Sequence, residues 1–147
     1  KFEQSLQDTV EEWKSREEVR GIFVYGSYVR GTATISSDLD IVIIWNEDEA
    51  PARLIARHKG VLIDMDFMTP EGIEVVLQGQ ATDAFEIAGV ISRLRGARIE
   101  YDPGRLLADW LSRVQDYTWP EGMMESKGAY SRILELCQNL SGKGRLG

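Results

Sequence analysis

The sequence predicts a mixed α/β (α+β) domain in which helices flank a small mixed β-sheet. Three short runs rich in β-branched and aliphatic residues indicate buried strands. They alternate with segments in which apolar residues recur every three or four positions, which is the pattern of amphipathic helices. Further helical segments gather towards the C-terminal end of the chain. Strands and helices that alternate in this way favour a layered domain around one core.

The N-terminal part of the chain is predicted to supply the first helix and two strands. Residues 2–19 form an amphipathic helical pattern, with Glu and Gln between the apolar positions. Residues 22–25 are a short apolar run, which predicts a buried strand. A short helix is expected over residues 28–30. Residues 38–45 form a longer apolar run, which predicts a strand at the centre of the sheet.

The rest of the chain is predicted to supply one more inner strand, one edge strand and several helices. Thr69 followed by Pro70 is a typical helix start, with a capping side chain before proline in the first turn. In chain order we expect a short helix (51–58) with Pro51 at its start, a strand (61–68), two helices (70–77 and 81–92), an edge strand (97–101) and two final helices (105–117 and 122–140).

The composition fits one soluble globular domain. The chain has 147 residues, of which 43% are apolar, and a chain of this length buries roughly 70% of the surface that its unfolded form exposes. The net charge of −7 argues against nucleic-acid binding through charge alone, since phosphate contacts need Lys and Arg. Cys137 is the single cysteine, so no intrachain disulfide can form, which favours a reducing, cytoplasmic location. No apolar stretch approaches the ~18 residues of a membrane span.

Gly26 and Ser27 lie where the first strand is expected to turn into a short helix. Glycine lets the backbone approach a phosphate closely, and the N-terminal end of a helix offers free N–H groups to an anion. The serine hydroxyl can add a hydrogen bond to a phosphate oxygen. Gly-Ser turns are common in proteins, so this pair alone is only a weak indication of a phosphate site.

Asp38 and Asp40 lead into the second strand. Residues two apart in a strand point to the same face, so the two carboxylates are expected to project together, roughly 6.5–7 Å apart along the backbone. Two carboxylates aimed at one point repel each other unless a cation lies between them. Hard oxygen ligands suit Mg²⁺. The alternative is a solvated acidic turn before the strand.

Asp64 and Asp66 lie within the third strand, each between apolar neighbours. A carboxylate in an apolar strand is costly to bury unless it is paired or bound to metal. The two residues also share a face. The alternative is an ordinary amphipathic strand, in which both aspartates face solvent on one side of the sheet.

Together these residues resemble the nucleotidyltransferase superfamily that includes DNA polymerase β, poly(A) polymerases and the antibiotic nucleotidyltransferases. The resemblance runs from Gly26-Ser27, through a second glycine at Gly31, to the segment Ser37-Asp38-Leu39-Asp40 and the apolar strand after it. The step of eleven residues from Ser27 to Asp38 is similar to that in the small bacterial members.

The resemblance implies a division of the chain. Residues 1–103 are expected to form the nucleotidyltransferase catalytic domain. Residues 104–147 are expected to form a C-terminal helical segment, whose glycine-rich end indicates a flexible tail or a truncation. The match is clear over about residues 2–70 and weaker to about residue 105.

The resemblance also implies roles for the acidic residues. Asp38 and Asp40 would bind two Mg²⁺ ions, with Mn²⁺ as an alternative metal. The third carboxylate of the family lies on a neighbouring strand between apolar residues, and Asp64 fits that pattern best. Asp66 shares its face and is the alternative. These carboxylates would be both the metal ligands and the catalytic residues.

Gly26 and Ser27 would hold the triphosphate of a nucleotide, according to the same resemblance. Arg30 follows them and is a further candidate for a phosphate contact, although a plain surface arginine is an equally good interpretation. The implied reaction moves a nucleoside monophosphate, with AMP from ATP as the favoured case, to an acceptor hydroxyl and releases pyrophosphate.

The acceptor is less well indicated than the donor nucleotide. The net charge of −7 favours a cationic small molecule or a protein as the acceptor over nucleic acid. Since a small domain with an exposed cleft often needs a partner to complete its acceptor site, a dimer is compatible with the sequence. No membrane partner is expected.

A catalytically silent binding module of the same fold is the alternative function, for example an antitoxin or a regulatory partner. Degenerate modules often lack one of the carboxylates, whereas this chain retains all of them. That retention favours an enzyme.

Overall fold

In the part of the chain that the structure describes, one mixed β-sheet carries helices on both faces. The structure, a computed structural model, describes residues 1–120. The elements in this part are α1 (Phe2–Lys14), β1 (Val19–Tyr25), α2 (Ser27–Arg30), β2 (Leu39–Trp45), β3 (Leu54–His58), β4 (Val61–Met68), α3 (Pro70–Leu77), α4 (Ala84–Arg95), β5 (Arg98–Tyr101) and α5 (Leu106–Gln115). The architecture confirms the predicted α/β class.

The strand order in the sheet is β3–β4–β2–β1–β5. β2 and β4 are parallel, and the other neighbouring strands are antiparallel. β2 is the central strand, and six of its seven residues are buried. This burial on both faces explains why its sequence from Ile41 to Trp45 is a continuous apolar run.

The two faces of the sheet carry separate apolar cores. On one face α1 packs its stripe of Leu6, Val10 and Trp13 against the strands. On the other face α3, α4 and α5 cover the sheet, and Trp110 of α5 is fully buried there. The aspartates considered below emerge on this second face, because Asp40 alternates with Val42, which belongs to the second core.

Residues 51–58 do not form the predicted helix. Leu54–His58 is instead strand β3, which pairs antiparallel with β4. The connecting turn is Lys59-Gly60, and both residues have positive φ, 51° and 81°, as a tight hairpin turn of type I′ requires. Pairing with β4 therefore outweighs the helix-start signal of Pro51.

Other element boundaries differ by a few residues from those predicted. α1 ends at Lys14 rather than at residue 19, because Val19 already pairs with Trp45 in the sheet. α4 begins at Ala84, where the side chain of Asp83 accepts a hydrogen bond from the Phe85 amide and caps the helix.

The predicted last helix (122–140) and Cys137 lie outside the described residues. The division at residue 103 stays a prediction. Within residues 1–120, no helix is both long and apolar enough to cross a membrane.

Candidate active site

Three aspartates meet where β2 and β4 run side by side. Asp38 directly precedes β2, and Asp40 is the second residue of that strand. Because the two strands are parallel and in register, Asp40 lies directly opposite Asp64. One carboxylate oxygen from each of the three residues lies within 4.8 Å of the others. Asp38 and Asp40 project together because residues two apart share a face, and the in-register pairing of β4 with β2 adds Asp64. The three predicted residues are thus brought together.

All three aspartates are buried, with 4%, 0% and 2% of Asp38, Asp40 and Asp64 exposed. Carboxylates removed from water at this spacing repel one another, and a cation among them offsets that cost. Three oxygen donors converging on one point are the ligand chemistry that Mg²⁺ and Mn²⁺ prefer. The residues present therefore fit a divalent cation.

Gly26 packs directly against the aspartate cluster. Its φ of 89° lies in the region that favours glycine. A Cβ atom at this position would lie 2.5 Å from Oδ2 of Asp40, which is far inside van der Waals contact. Glycine is thus required here twice, by the backbone conformation and by the neighbouring carboxylate.

Ser27 follows as the first residue of α2 and is 4% exposed. Its Oγ atom is buried and has no hydrogen-bond partner within residues 1–120. A buried hydroxyl without a partner costs free energy, so such groups commonly have a functional explanation. A ligand oxygen adjacent to the aspartates would supply the missing partner.

Arg30 ends α2 as an exposed side chain. Its position is compatible with the outer part of a bound ligand or with a simple surface role.

Asp66 shares the face of Asp64 and lies beside Arg93 and Tyr25. Nη2 of Arg93 lies 3.3 Å from Oδ2 of Asp66, and the hydroxyl of Tyr25 lies 3.5 Å from the same oxygen. Nε of Arg93 donates to the Tyr25 hydroxyl at 3.1 Å. Burial raises the pKa of Tyr25, so its phenol stays protonated at neutral pH. Of the two candidates for the third carboxylate, the structure places Asp64 in the cluster.

Arg53 is a site residue that the sequence reasoning missed. Its Nε donates to Oδ1 of Asp64 at 2.7 Å and its Nη2 donates to Oδ2 at 2.6 Å. The contact follows from the β3–β4 hairpin, in which Ile55 lies opposite Asp64. The Lys59-Gly60 dipeptide was the available signal, because a hairpin turn there places this end of β3 beside Asp64.

Comparison with known proteins identifies the family of this domain. A family model described as a nucleotidyltransferase domain matches residues 6–96. The span begins within α1, ends just after α4, and includes strands β1 to β4 and all the aspartates of the site. No match was found among curated protein sequences.

A solved structure with a similar fold is a nucleotidyltransferase-like protein from Exiguobacterium sibiricum, with a TM-score of 0.57 and 14% sequence identity. The alignment covers 96% of this chain and 52% of that protein, so the chain spans about half the length of this structural neighbour. At this identity the likeness shows the fold. Because the family model matches more than half of the sequence, the chain belongs to the nucleotidyltransferase domain family.

Proposed function

We propose that this protein is a Mg²⁺-dependent enzyme that transfers a nucleoside monophosphate, AMP from ATP in the favoured case, to an acceptor hydroxyl. The observation that carries this proposal is the convergence of Asp38, Asp40 and Asp64, whose carboxylate oxygens lie within 4.8 Å of one another at a buried position. Three intact and convergent carboxylates favour an enzyme over a catalytically silent module of the same fold.

The aspartates are the groups that would hold the metal. When bound at such a site, Mg²⁺ offsets the charge of the triphosphate and makes the acceptor hydroxyl easier to deprotonate. Asp64 lies on the β4 side of the cluster, nearest to β3. We assign it the orientation of the acceptor hydroxyl and the acceptance of its proton. The hydroxyl oxygen then bonds to the α-phosphorus, and pyrophosphate leaves with the electron pair of the broken bond.

The turn at Gly26 and Ser27 is the proposed phosphate contact. Gly26 leaves room for close approach beside Asp40, and the buried Oγ of Ser27 is a hydroxyl that a phosphate oxygen would satisfy. Arg30, exposed at the end of α2, would contact an outer phosphate. The overall charge of −7 supports a cationic small molecule or a protein as the acceptor. In a dimer, a second copy of the chain would complete the acceptor site.

The test is an acceptor screen that measures pyrophosphate release from ATP and Mg²⁺. Candidate acceptors are aminoglycoside-like amines with hydroxyl groups, hydroxyl-bearing proteins and RNA ends. Release that depends on the acceptor in the wild type should be lost in Asp38→Asn/Asp40→Asn. The matched control is Asp48→Asn/Glu49→Gln, which removes two charges from an exposed turn and should remain active. Equal release by the wild type and the Asp38/Asp40 variant would overturn the proposed function.

A further inference from the structure

Asp64 is the aspartate of the cluster that lies next to the edge strand β3, and Arg53 contacts its carboxylate. Its guanidinium donates to both carboxylate oxygens of Asp64, at 2.7 and 2.6 Å. The side chain of Asp64 is 1% exposed, whereas that of Arg53 is 41% exposed. A planar guanidinium matches a carboxylate in this two-bond arrangement, which is the strongest form of such a pair. A metal ion that binds Asp64 therefore meets a carboxylate that already has a cationic partner.

A second carboxylate lies within reach of the same arginine. Nε of Arg53 is 4.0 Å from Oδ1 of Asp66. The other oxygen of Asp66 is held by Arg93 at 3.3 Å, so Oδ1 faces Arg53. The side chain of Asp66 is 20% exposed. A small rotation of the arginine side chain would thus exchange one carboxylate partner for another.

Arg53 lies outside the β3–β4 ladder, in which the first paired residue of β3 is Leu54. Residues 46–53 form neither helix nor strand, and Arg53 directly precedes β3. Its movement would therefore leave the β3–β4 ladder intact.

We propose that Arg53 competes with the divalent cation for Asp64, and that it transfers to Asp66 when the cation binds. The inference rests on the proposed function, because it concerns the same metal site. Arg53 neutralises Asp64 in the metal-free protein, which lessens the repulsion within the cluster. Asp66 then keeps the displaced guanidinium paired. In this role Arg53 is a positioning residue that sets the affinity of the site for metal.

Mn²⁺ binding measured by the electron paramagnetic resonance signal of the free ion tests the proposal without any acceptor. The proteins are the wild type, Arg53→Gln, Arg53→Lys and Arg57→Gln, each titrated with and without ATP. Arg57 is an exposed arginine on β3, opposite Leu62 rather than Asp64. It controls for the general effect of removing one positive charge from the β3–β4 hairpin.

Arg53→Gln is expected to bind Mn²⁺ about tenfold more tightly than the wild type, the scale of a lost charge-assisted contact. Arg57→Gln should differ from the wild type much less. Arg53→Lys should lie between the two, since an ammonium cannot make the two-bond contact. Unchanged or weaker Mn²⁺ binding in Arg53→Gln would overturn the proposal. A wild type and an Arg53→Gln variant that both fail to bind Mn²⁺ with ATP present would overturn the proposed metal site as well.

Asp66→Asn, alone and combined with Arg53→Gln, tests the transfer. We expect Asp66→Asn to weaken Mn²⁺ binding when Arg53 is present, because the displaced arginine loses its second partner. The same change should have little effect in the Arg53→Gln background. Equal weakening in both backgrounds would contradict the transfer, since only the coupling between two residues reports their interaction.

Discussion

At the scale of single residues, Gly26 has a positive φ and also lies against Asp40 of the candidate metal site. We expect Gly26→Ala to place a methyl group where the structure leaves 2.5 Å to Oδ2 of Asp40. The variant should lose at least about tenfold in Mn²⁺ affinity, since one of the three carboxylates must move. It should also lose about 1–3 kcal/mol of stability from backbone strain. Mn²⁺ titration and chemical denaturation measure the two effects.

The matched control for this substitution is Gly79→Ala. Gly79 also has a positive φ, 74°, but nothing lies within 4 Å of the position of its Cβ. It should lose a similar amount of stability and keep normal Mn²⁺ binding. A loss of metal binding in both variants would show that strain alone, rather than contact with Asp40, is responsible.

Ser27 allows stability and ligand binding to be separated. Its buried Oγ has no hydrogen-bond partner within the described part of the chain, so Ser27→Ala should leave stability unchanged or slightly raised. Binding of ATP with Mg²⁺ should weaken about five- to tenfold, the scale of one lost hydrogen bond to a charged group. Calorimetry and thermal denaturation are the measurements. A destabilised variant with unchanged ATP binding would indicate a purely structural hydroxyl.

The site residues differ in how far sequence alone could predict them. Asp38, Asp40 and Gly26-Ser27 belong to a local pattern whose spacing is visible in the chain. The family resemblance favoured Asp64 over Asp66 although both residues share a face, and the structure brings a carboxylate oxygen of Asp64 close to those of Asp38 and Asp40. The contact of Arg53 depends on the pairing of β3 with β4, for which the Lys59-Gly60 dipeptide is only a weak local signal.

At the scale of elements, Glu74 joins α3 to α5. It accepts hydrogen bonds from Nε1 of the buried Trp110 at 2.8 Å and from both terminal nitrogens of Arg113 at 2.8 and 2.9 Å. These contacts, chiefly those from Arg113, lower the pKa of Glu74 to about 2. The ionised carboxylate therefore stabilises the packing of two helices.

The lowered pKa sets the pH range over which this stabilisation acts. It is fully present above the ordinary pKa of 4.5 and is lost as the pH falls towards about 2. Glu74→Gln should lose about 1–2 kcal/mol at pH 7, and its difference from the wild type should shrink as the pH falls through this range. Urea denaturation at several pH values measures this difference in the free energy of unfolding. Glu71→Gln, an exposed residue of the same helix, is the control, and an equal loss there would contradict this account.

The helices and strands with strong local patterns were predicted well. The apolar runs of β2 and β4 gave their strands, since both are largely buried in the sheet. Residues 51–58 were predicted wrongly because their proline suggested a helix. Their structure is determined by hydrogen bonds to β4, and the exposed Leu54 and Ile55 show that burial of their own side chains contributes little.

At the scale of the whole molecule, the two faces of the sheet differ in what they carry. The face under α1 is an apolar core, whereas the opposite face combines a second core with the buried aspartates. Repulsion among those carboxylates works against folding in the absence of a cation. A site of this kind is expected to trade stability for function.

Removing that repulsion should stabilise the metal-free protein. We expect Asp40→Asn to raise the unfolding temperature in the presence of a metal chelator. The wild type should gain stability when Mg²⁺ and ATP are added, through preferential binding to the folded state, while the variant gains much less. Thermal denaturation of the wild type and of Asp40→Asn, each with chelator and with Mg²⁺–ATP, measures these differences in unfolding temperature. A variant that is less stable than the wild type in chelator would contradict net repulsion at the site.

The central claim is that Asp38, Asp40 and Asp64 bind a nucleoside triphosphate through Mg²⁺. Isothermal titration of ATP, GTP, CTP and UTP, with and without Mg²⁺, tests it most directly. We expect binding that requires Mg²⁺, is tightest for ATP, and weakens at least about tenfold in Asp38→Asn/Asp40→Asn but not in Asp48→Asn/Glu49→Gln. No binding of any nucleotide by the folded wild type, or binding that is unchanged in the Asp38/Asp40 variant, would contradict the claim.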